Sequence, residues 1–220
     1  MHIPEIRGLL RDHAIEVPSV IAQASGIRIF GKLIRSLVFS TDVAIIKNVN
    51  ADAVIAVYPF TPQPAITHAI MMVAEMPVFC GVGGGITTGK RVVTLARDAE
   101  FQGAMGVVVN APTSNEVITA LRREVDIPVV VTVVSHDTDI PARLAAGATI
   151  FNVSGAAHTA GIVRAIRQAN PDVPILATGG PTDETILETI QAGANAITWT
   201  PPTSGQLFKG LMDAYRGRAQ

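Results

Sequence analysis

Cysteine is almost absent. Cys80 is the only one among 220 residues, so no internal disulfide can form. Charge of one sign is not concentrated anywhere either: 17 basic and 18 acidic residues, for a formal net charge of −1, are spread along the chain with no block that would draw nucleic acid or lipid. Long apolar runs are missing too, since Glu75 or glycines break the longest before they reach the roughly 20 residues that a bilayer span needs. The opening stretch MHIPEIRGLLRDH carries charges where a signal peptide has its apolar core. These absences lead us to expect a cytoplasmic protein with no nucleic-acid or membrane partner, whose ligand is a small neutral or anionic molecule.

What the chain does have is apolar residues, 48% of the total, with a mean hydropathy of +0.38. That is enough to bury one large core, at the short end of the size range for eight-fold α/β barrels. A strand signal recurs along the chain in two alternating forms. One sets a proline before an apolar run: Pro18 before SVIAQ, Pro77 before VFCGV, Pro128 before VVVTVV and Pro174 before ILATGG. The other follows a small-residue step that ends a helix, at Gly103-Ala104, Gly147-Ala148 and Gly193-Ala194, and less cleanly at Ala51-Asp52-Ala53.

Segments of helical period lie between these runs. Gly103, Gly147 and Gly193 are predicted as left-handed C-caps, and Ser114, Asp139 and Thr182 or Asp183 as N-caps. The strands are short, β-branched and nearly continuously apolar, as in a parallel sheet buried on both faces, and antiparallel hairpins are not indicated. Eight strands of alternating character suit a closed barrel better than a doubly wound open sheet. The predicted fold is therefore α/β, a single (β/α)8 TIM barrel over residues 16–220, with an extra N-terminal helix over residues 1–15. Residues 27–48 read as two helices, the second capped at Ser40-Thr41-Asp42.

Chemistry in such a barrel gathers at the C-terminal ends of the strands, where Asn110, Asn152, Ser154, Thr178 and Thr198 stand as binding candidates. No two carboxylates converge, no metal triad has recognisable spacing and the G-x-S-x-G elbow is missing, so hydrolysis is a minor alternative. His136 and Asp137, after the fifth strand, are the best acid/base candidates, because histidine titrates near neutral pH and a neighbouring carboxylate can orient it. Asp139 reads as a helix cap, and Cys80 as an apolar filler.

Gly84 to Lys90 matches the start of a nucleotide-binding P-loop, but Arg91 stands where the Mg²⁺-binding hydroxyl belongs. The loop is read instead as a mobile segment in which Gly84 and Gly85 allow close backbone approach and Lys90 covers a bound anion. The other reading is a solvated loop whose Lys90 starts a helix. Gly179-Gly180 and Thr203-Ser204-Gly205, each leading into a helix N-terminus, are the candidate phosphate seat.

Residues 177–199, ATGGPTDETILETIQAGANAITW, make the chain resemble the phosphate-binding (ribulose-phosphate-binding-like) TIM-barrel superfamily, which includes the keto-deoxy-phosphogluconate aldolases and N-acylmannosamine-phosphate epimerases. The resemblance implies a small-molecule enzyme acting on a phosphorylated or carboxylated metabolite by aldol-type lyase or sugar-phosphate isomerase/epimerase chemistry. His136 or Asp137 would move the proton, and Lys90 or backbone N–H groups would stabilise an enolate. Two departures stand out: Thr200-Pro201-Pro202 replaces the usual Gly-Ser after the last strand, and TIFNVSG lacks the Schiff-base lysine of those aldolases. No cofactor is expected, with a divalent metal left open. The alternative is a non-catalytic barrel that senses a phosphometabolite, resembling the glycerol-operon antiterminators. Assembly into a homo-oligomer is expected through a surface such as the helix at Ile70-Met71-Met72.

Overall fold

Three of the four marked prolines open barrel strands because their carbonyls, not their missing N–H groups, join the ladder. The Val54 N–H donates to the Pro77 carbonyl (2.8 Å), Val107 to Pro128 (2.9 Å) and Phe151 to Pro174 (3.0 Å). The computed structural model describes Pro4 and residues 15–218. A hairpin, β1 (Ile27–Ile29) and β2 (Lys32–Ile34), precedes eight parallel strands: β3 (Ser36–Phe39), β4 (Ala53–Ala56), β5 (Val78–Gly83), β6 (Gly106–Val109), β7 (Val129–Val133), β8 (Ile150–Val153), β9 (Ile175–Thr178) and β10 (Ala196–Trp199). They follow one another round a closed barrel, and β10 returns to β3 through Ile197↔Ser36, Thr198↔Leu37 and Trp199↔Val38. The helices are α1 (Val43–Asn48), α2 (Pro64–Val73), α3 (Lys90–Phe101), α4 (Asn115–Glu124), α5 (Ile140–Ala146), α6 (Thr159–Ala169), α7 (Asp183–Gln191) and α8 (Ser204–Arg218). The expected (β/α)8 TIM barrel is the observed architecture.

The beginning of the barrel differs from the sequence reading. Ser19–Gln23, read as the first strand, is a short 3-10 turn in which the Pro18 carbonyl accepts from Ile21 N–H at 3.0 Å. The first barrel strand is β3, inside the segment read as paired helices, and only the second of those helices exists, as α1. The hairpin is the other departure. Its two-residue turn, Phe30-Gly31, has φ of 46° and 83°, the double positive pattern usually announced by Asn-Gly, so Phe30 concealed it. The N-terminal helix expected over residues 1–15 lies outside the described residues, apart from Pro4 and Ile15, and Ile15 bridges Val49 in parallel.

Two apolar layers result. Between strands and helices lies the larger one, with Val38, Val54, Phe151 and Ile197 pointing outward into it. The inner layer joins Leu37, Ile55, Phe79, Val108, Val130, Ile150 and Leu176 to Ile27, Ile29 and Ile34 of the hairpin. Only Arg35 separates Ile34 from β3, and Gly26 N–H donates to the carbonyl of Asn195 just before β10 (2.7 Å), so the hairpin plugs the N-terminal end of the barrel. The open end is therefore the C-terminal one. Among the described residues no helix is long and apolar enough to cross a membrane.

Candidate active site

Strand alternation places a polar tier directly above the apolar interior. Val130, Ile150, Leu176 and Ala196 face inward, so the inward residues one step further along are Thr132, Asn152, Thr178 and Thr198. Register sets Thr132 beside Asn152 and Thr178 beside Thr198. One end of the Asn152 amide meets Thr132 Oγ1 at 3.4 Å, and Thr178 Oγ1 donates to Ser154 Oγ at 3.3 Å. Asn152 is 8% exposed and Thr198 4%, yet Asn152 Oδ1 and Thr198 Oγ1 have no hydrogen-bond partner among the described residues. Leaving a buried polar group unpaired costs about 1–3 kcal/mol, so each of these atoms carries hydrogen-bonding capacity that the described residues do not use.

Across the mouth the wall changes character. Phe39 and Val57 are apolar, and β5 shifts register between Gly81 and Gly83, a bulge that re-aims its end. A cleft of about 560 Å³ opens here, lined among others by Phe39, Asp42, Val57, Tyr58, Asn110, Thr200 and Ser204. Through Val57, Tyr58, Pro59 and Asn110 it continues into a recess of about 80 Å³ bounded by Phe60, Ile86 and Thr87. Thr200, the next inward residue above Thr198, ties the cleft to the polar floor.

Among the described residues Asp42 is the one carboxylate lining the cleft. It caps α1, accepting from Ala44 N–H (2.9 Å) and Ile45 N–H (3.3 Å), and also accepts from the Ser204 hydroxyl at the start of α8. The Ser204 hydroxyl is the largest influence and holds its carboxyl below the ordinary value against the opposing effect of burial, with smaller help from each of those two N–H groups. A folded value below the unfolded 3.8 contributes stability above pH 3.8 that is lost as pH falls through the folded value. Asp42→Asn keeps a capping side chain but removes the charge. The variant should melt below the parent at pH 7, and the gap should close on titration below pH 3.8; a gap independent of pH would detach the charge from this role.

The residues expected from sequence are not all brought together. Asn110 lines both parts of the mouth; Asn152, in β8, and Ser154, just past it, are bonded to Thr132 and Thr178 and lie outside the lining of the cleft and the recess. Gly85 borders the recess, whereas Gly84 is buried behind it against Asn110 and Thr113. His136 lies in a groove of about 210 Å³ between α5 and α6, its ring facing Gly161. Asp137 accepts from Ser135 Oγ (3.0 Å) in a polar cleft beside Arg143, whose guanidinium grips the Thr113 and Ala111 carbonyls. Lys90 is the exposed first residue of α3. None of these three lines the mouth cleft or its recess.

The candidate phosphate seat is already engaged internally. A side chain on Gly179 would strike Ile186 and Ile197, and Gly180, at φ 81°, turns the chain against Thr185. Thr182 and Thr185 bond each other in a capping box, Thr203 bonds Gln206 in both directions, and Ser204 is on Asp42. Gly205 follows in the first turn of α8. Asp139 caps α5 through Ala142 N–H (2.9 Å). Cys80 faces outward into the helix–strand layer, where burial, with a smaller effect from Asp98, pushes its thiol up to about 12 and leaves it inert. The sequence reading missed Phe39, Asp42 and Phe60; the first two went unseen because β3 had been assigned elsewhere.

No family model and no curated protein matches the sequence. Solved structures do resemble it. A Burkholderia cenocepacia J2315 protein provisionally described as a phosphonomutase superposes with a TM-score of 0.65 at 16% identity, over 90% of this chain and 96% of that one. A 2,3-dimethylmalate lyase of the PEP mutase/isocitrate lyase superfamily gives 0.60 at 14% identity, over 84% and 81%. Phosphonopyruvate hydrolase in complex with oxalate and Mg²⁺ gives 0.60 at 13%, over 90% and 83%. The likeness is one of fold. Magnesium is held by oxygen ligands, carboxylates foremost. Among the described residues no three His, Cys, Asp or Glu side chains cluster to hold a metal, and Asp42 already serves three donors. The donor set at this mouth does not fit a resident divalent cation.

Proposed function

We propose that this barrel is an enzyme acting on a small carboxylated or phosphorylated metabolite at its C-terminal mouth, with aldol-type lyase chemistry ahead of sugar-phosphate isomerisation. The observation that carries the reading is the pair of buried, unpartnered atoms, Asn152 Oδ1 and Thr198 Oγ1, beneath an open cleft. The Thr198 hydroxyl is a donor suited to polarising a carbonyl and stabilising the enolate that carbon–carbon cleavage leaves, while Asn152 Oδ1, an acceptor, suits a hydroxyl of the aldol adduct. The carboxylated class is favoured within the proposal, because among the described residues no Lys or Arg lines the cleft or recess and the hydroxyls of Thr182, Thr203 and Ser204 are already paired. The phosphonomutase-like and lyase structures share this barrel and support the reaction class by analogy. In this reading His136 or Asp137, on the loop after β7, moves the proton and Lys90, at the start of α3, faces the developing charge once the loops after β5 and β7 close over the ligand.

A thermal-shift series against phosphate, sulfate, sugar phosphates, 2-oxo acids and ATP with Mg²⁺ tests it. A ligand at 100 times its Kd adds about 2.7 kcal/mol, and 2-oxo acids are expected to give the largest rise. A response confined to sugar phosphates would select the isomerase branch, and no response to any anion would overturn the proposal. The absence of His, Lys and Arg from the lining of the cleft and recess favours a second reading, a non-catalytic sensing barrel. Mass spectrometry of a stabilising compound after incubation separates the two, because only an enzyme changes it.

A further inference from the structure

Two large apolar side chains stand in solvent at the rim of the mouth. Phe60, on the β4–α2 loop, is 73% exposed, and Ile86, at the tip of the glycine-rich β5–α3 loop, is 91% exposed. Their neighbours are fixed: Thr87, itself buried, donates from Oγ1 to Thr61 Oγ1 at 3.1 Å, and Pro59 and Pro62 stiffen the chain on either side of Phe60. Among the described residues no charged side chain lines the recess between these tips, which opens through Val57 and Tyr58 into the main cleft. Folding gains nothing from leaving these side chains in water, whereas a ligand that covers them gains their burial.

We infer that the substrate carries a short alkyl arm that lies between Phe60 and Ile86 while its polar head meets the floor at Asn152 and Thr198. The head follows from the proposed function; the arm rests on the recess alone. At about 80 Å³ against about 560 Å³ for the cleft, the recess takes the smaller part of the ligand. The substrate class is thus a 2-oxo acid, or its aldol adduct, with a short unbranched side chain. Phe60 and Ile86 are its specificity-determining residues.

Isothermal titration calorimetry with pyruvate, 2-oxobutanoate and 2-oxopentanoate, and with methyl ketones of matching length, tests the arm and the head separately. Affinity should rise about four-fold per methylene in the parent protein and become flat in the double variant Phe60→Ala, Ile86→Ser, whose melting temperature should be unchanged because both side chains are exposed. Equal affinity along the acids, or an undiminished rise in the double variant, would overturn the arm and leave the carboxylated reading in place. A rise seen only with the ketones would uphold the arm and remove the carboxylate. Binding of neither series would overturn both.

Discussion

Gly84→Ala should lower the melting temperature by roughly 6–12 °C, the counterpart of about 3 kcal/mol in a domain of this size. Gly84 has φ 101°, where a Cβ costs about 1–2 kcal/mol, and the added carbon would stand 2.3 Å from Thr113 Oγ1, 2.5 Å from Asn110 N and 2.8 Å from Asn110 O. Those neighbours cannot withdraw freely. The Asn110 N–H donates to Gly83 O (3.0 Å), its carbonyl accepts from Thr113 N–H (3.1 Å), and Arg143 grips the Thr113 carbonyl. Overpacking a rigid site adds about 1–3 kcal/mol. Gly85→Ala, one residue on, has nothing within 4 Å and should stay within about 0.5 kcal/mol of the parent. Thermal and urea melts of the two variants read the contrast; equal stabilities would mean that the loops after β5 and β6 are not clamped together as described.

That clamp also shows what a sequence can and cannot declare. A glycine run after a strand announces close backbone approach, but not toward what; here Gly84 packs the loop after β5 onto the loop after β6, and its own N–H goes to Thr87 O at 3.0 Å. The parallel strands were legible because proline carbonyls and left-handed glycines leave local marks: Gly103, Gly147 and Gly193 all have positive φ, at 94°, 112° and 113°. At the N-terminal end the same mark misled. Pro18 precedes an apolar run as Pro77 does, but its carbonyl serves a 3-10 turn, and nothing within five residues distinguishes a carbonyl that serves a turn from one that serves a neighbouring strand.

The site was legible to the same extent. Asn110, Asn152 and Ser154 stand at or just past the ends of apolar runs that were clear, so their place at the C-terminal end of the strands could be read without coordinates. Phe39 and Asp42 close β3, whose signal was masked by Arg35 and by the preceding hairpin; β3 is secured by Asp52, whose Oδ2 accepts from the N–H groups of Arg35 and Ser36, a contact across 16 residues and more of sequence. The internal pairing of Thr182 with Thr185 and of Thr203 with Gln206 is another tertiary result. Hydroxyls at a helix start look alike in sequence whether they await a ligand or cap their own helix.

Asn152→Leu should separate stability from function in opposite directions. In the folded protein the amide uses one end on Thr132 and leaves the other unpaired and buried, so an apolar side chain of similar size removes a desolvated group at the cost of one long hydrogen bond of 3.4 Å. The expected melting temperature is that of the parent or higher, by up to about 1 kcal/mol. Binding of a 2-oxo acid or its aldol adduct, and any turnover of it, should fall by about ten-fold, the loss that follows removal of one acceptor for a ligand hydroxyl. Thr198→Val, nearly isosteric, removes the second unpartnered atom and should show the same pair of signs. A more stable protein that has lost its ligand is the mark of a group kept for function against its own folding interest. If stability and binding instead fell together, Asn152 would be a structural member of the barrel. If binding survived in both variants, the polar head of the ligand would rest higher in the cleft, against Asn110 and Thr200, and the floor would owe its unpaired atoms to something other than the substrate.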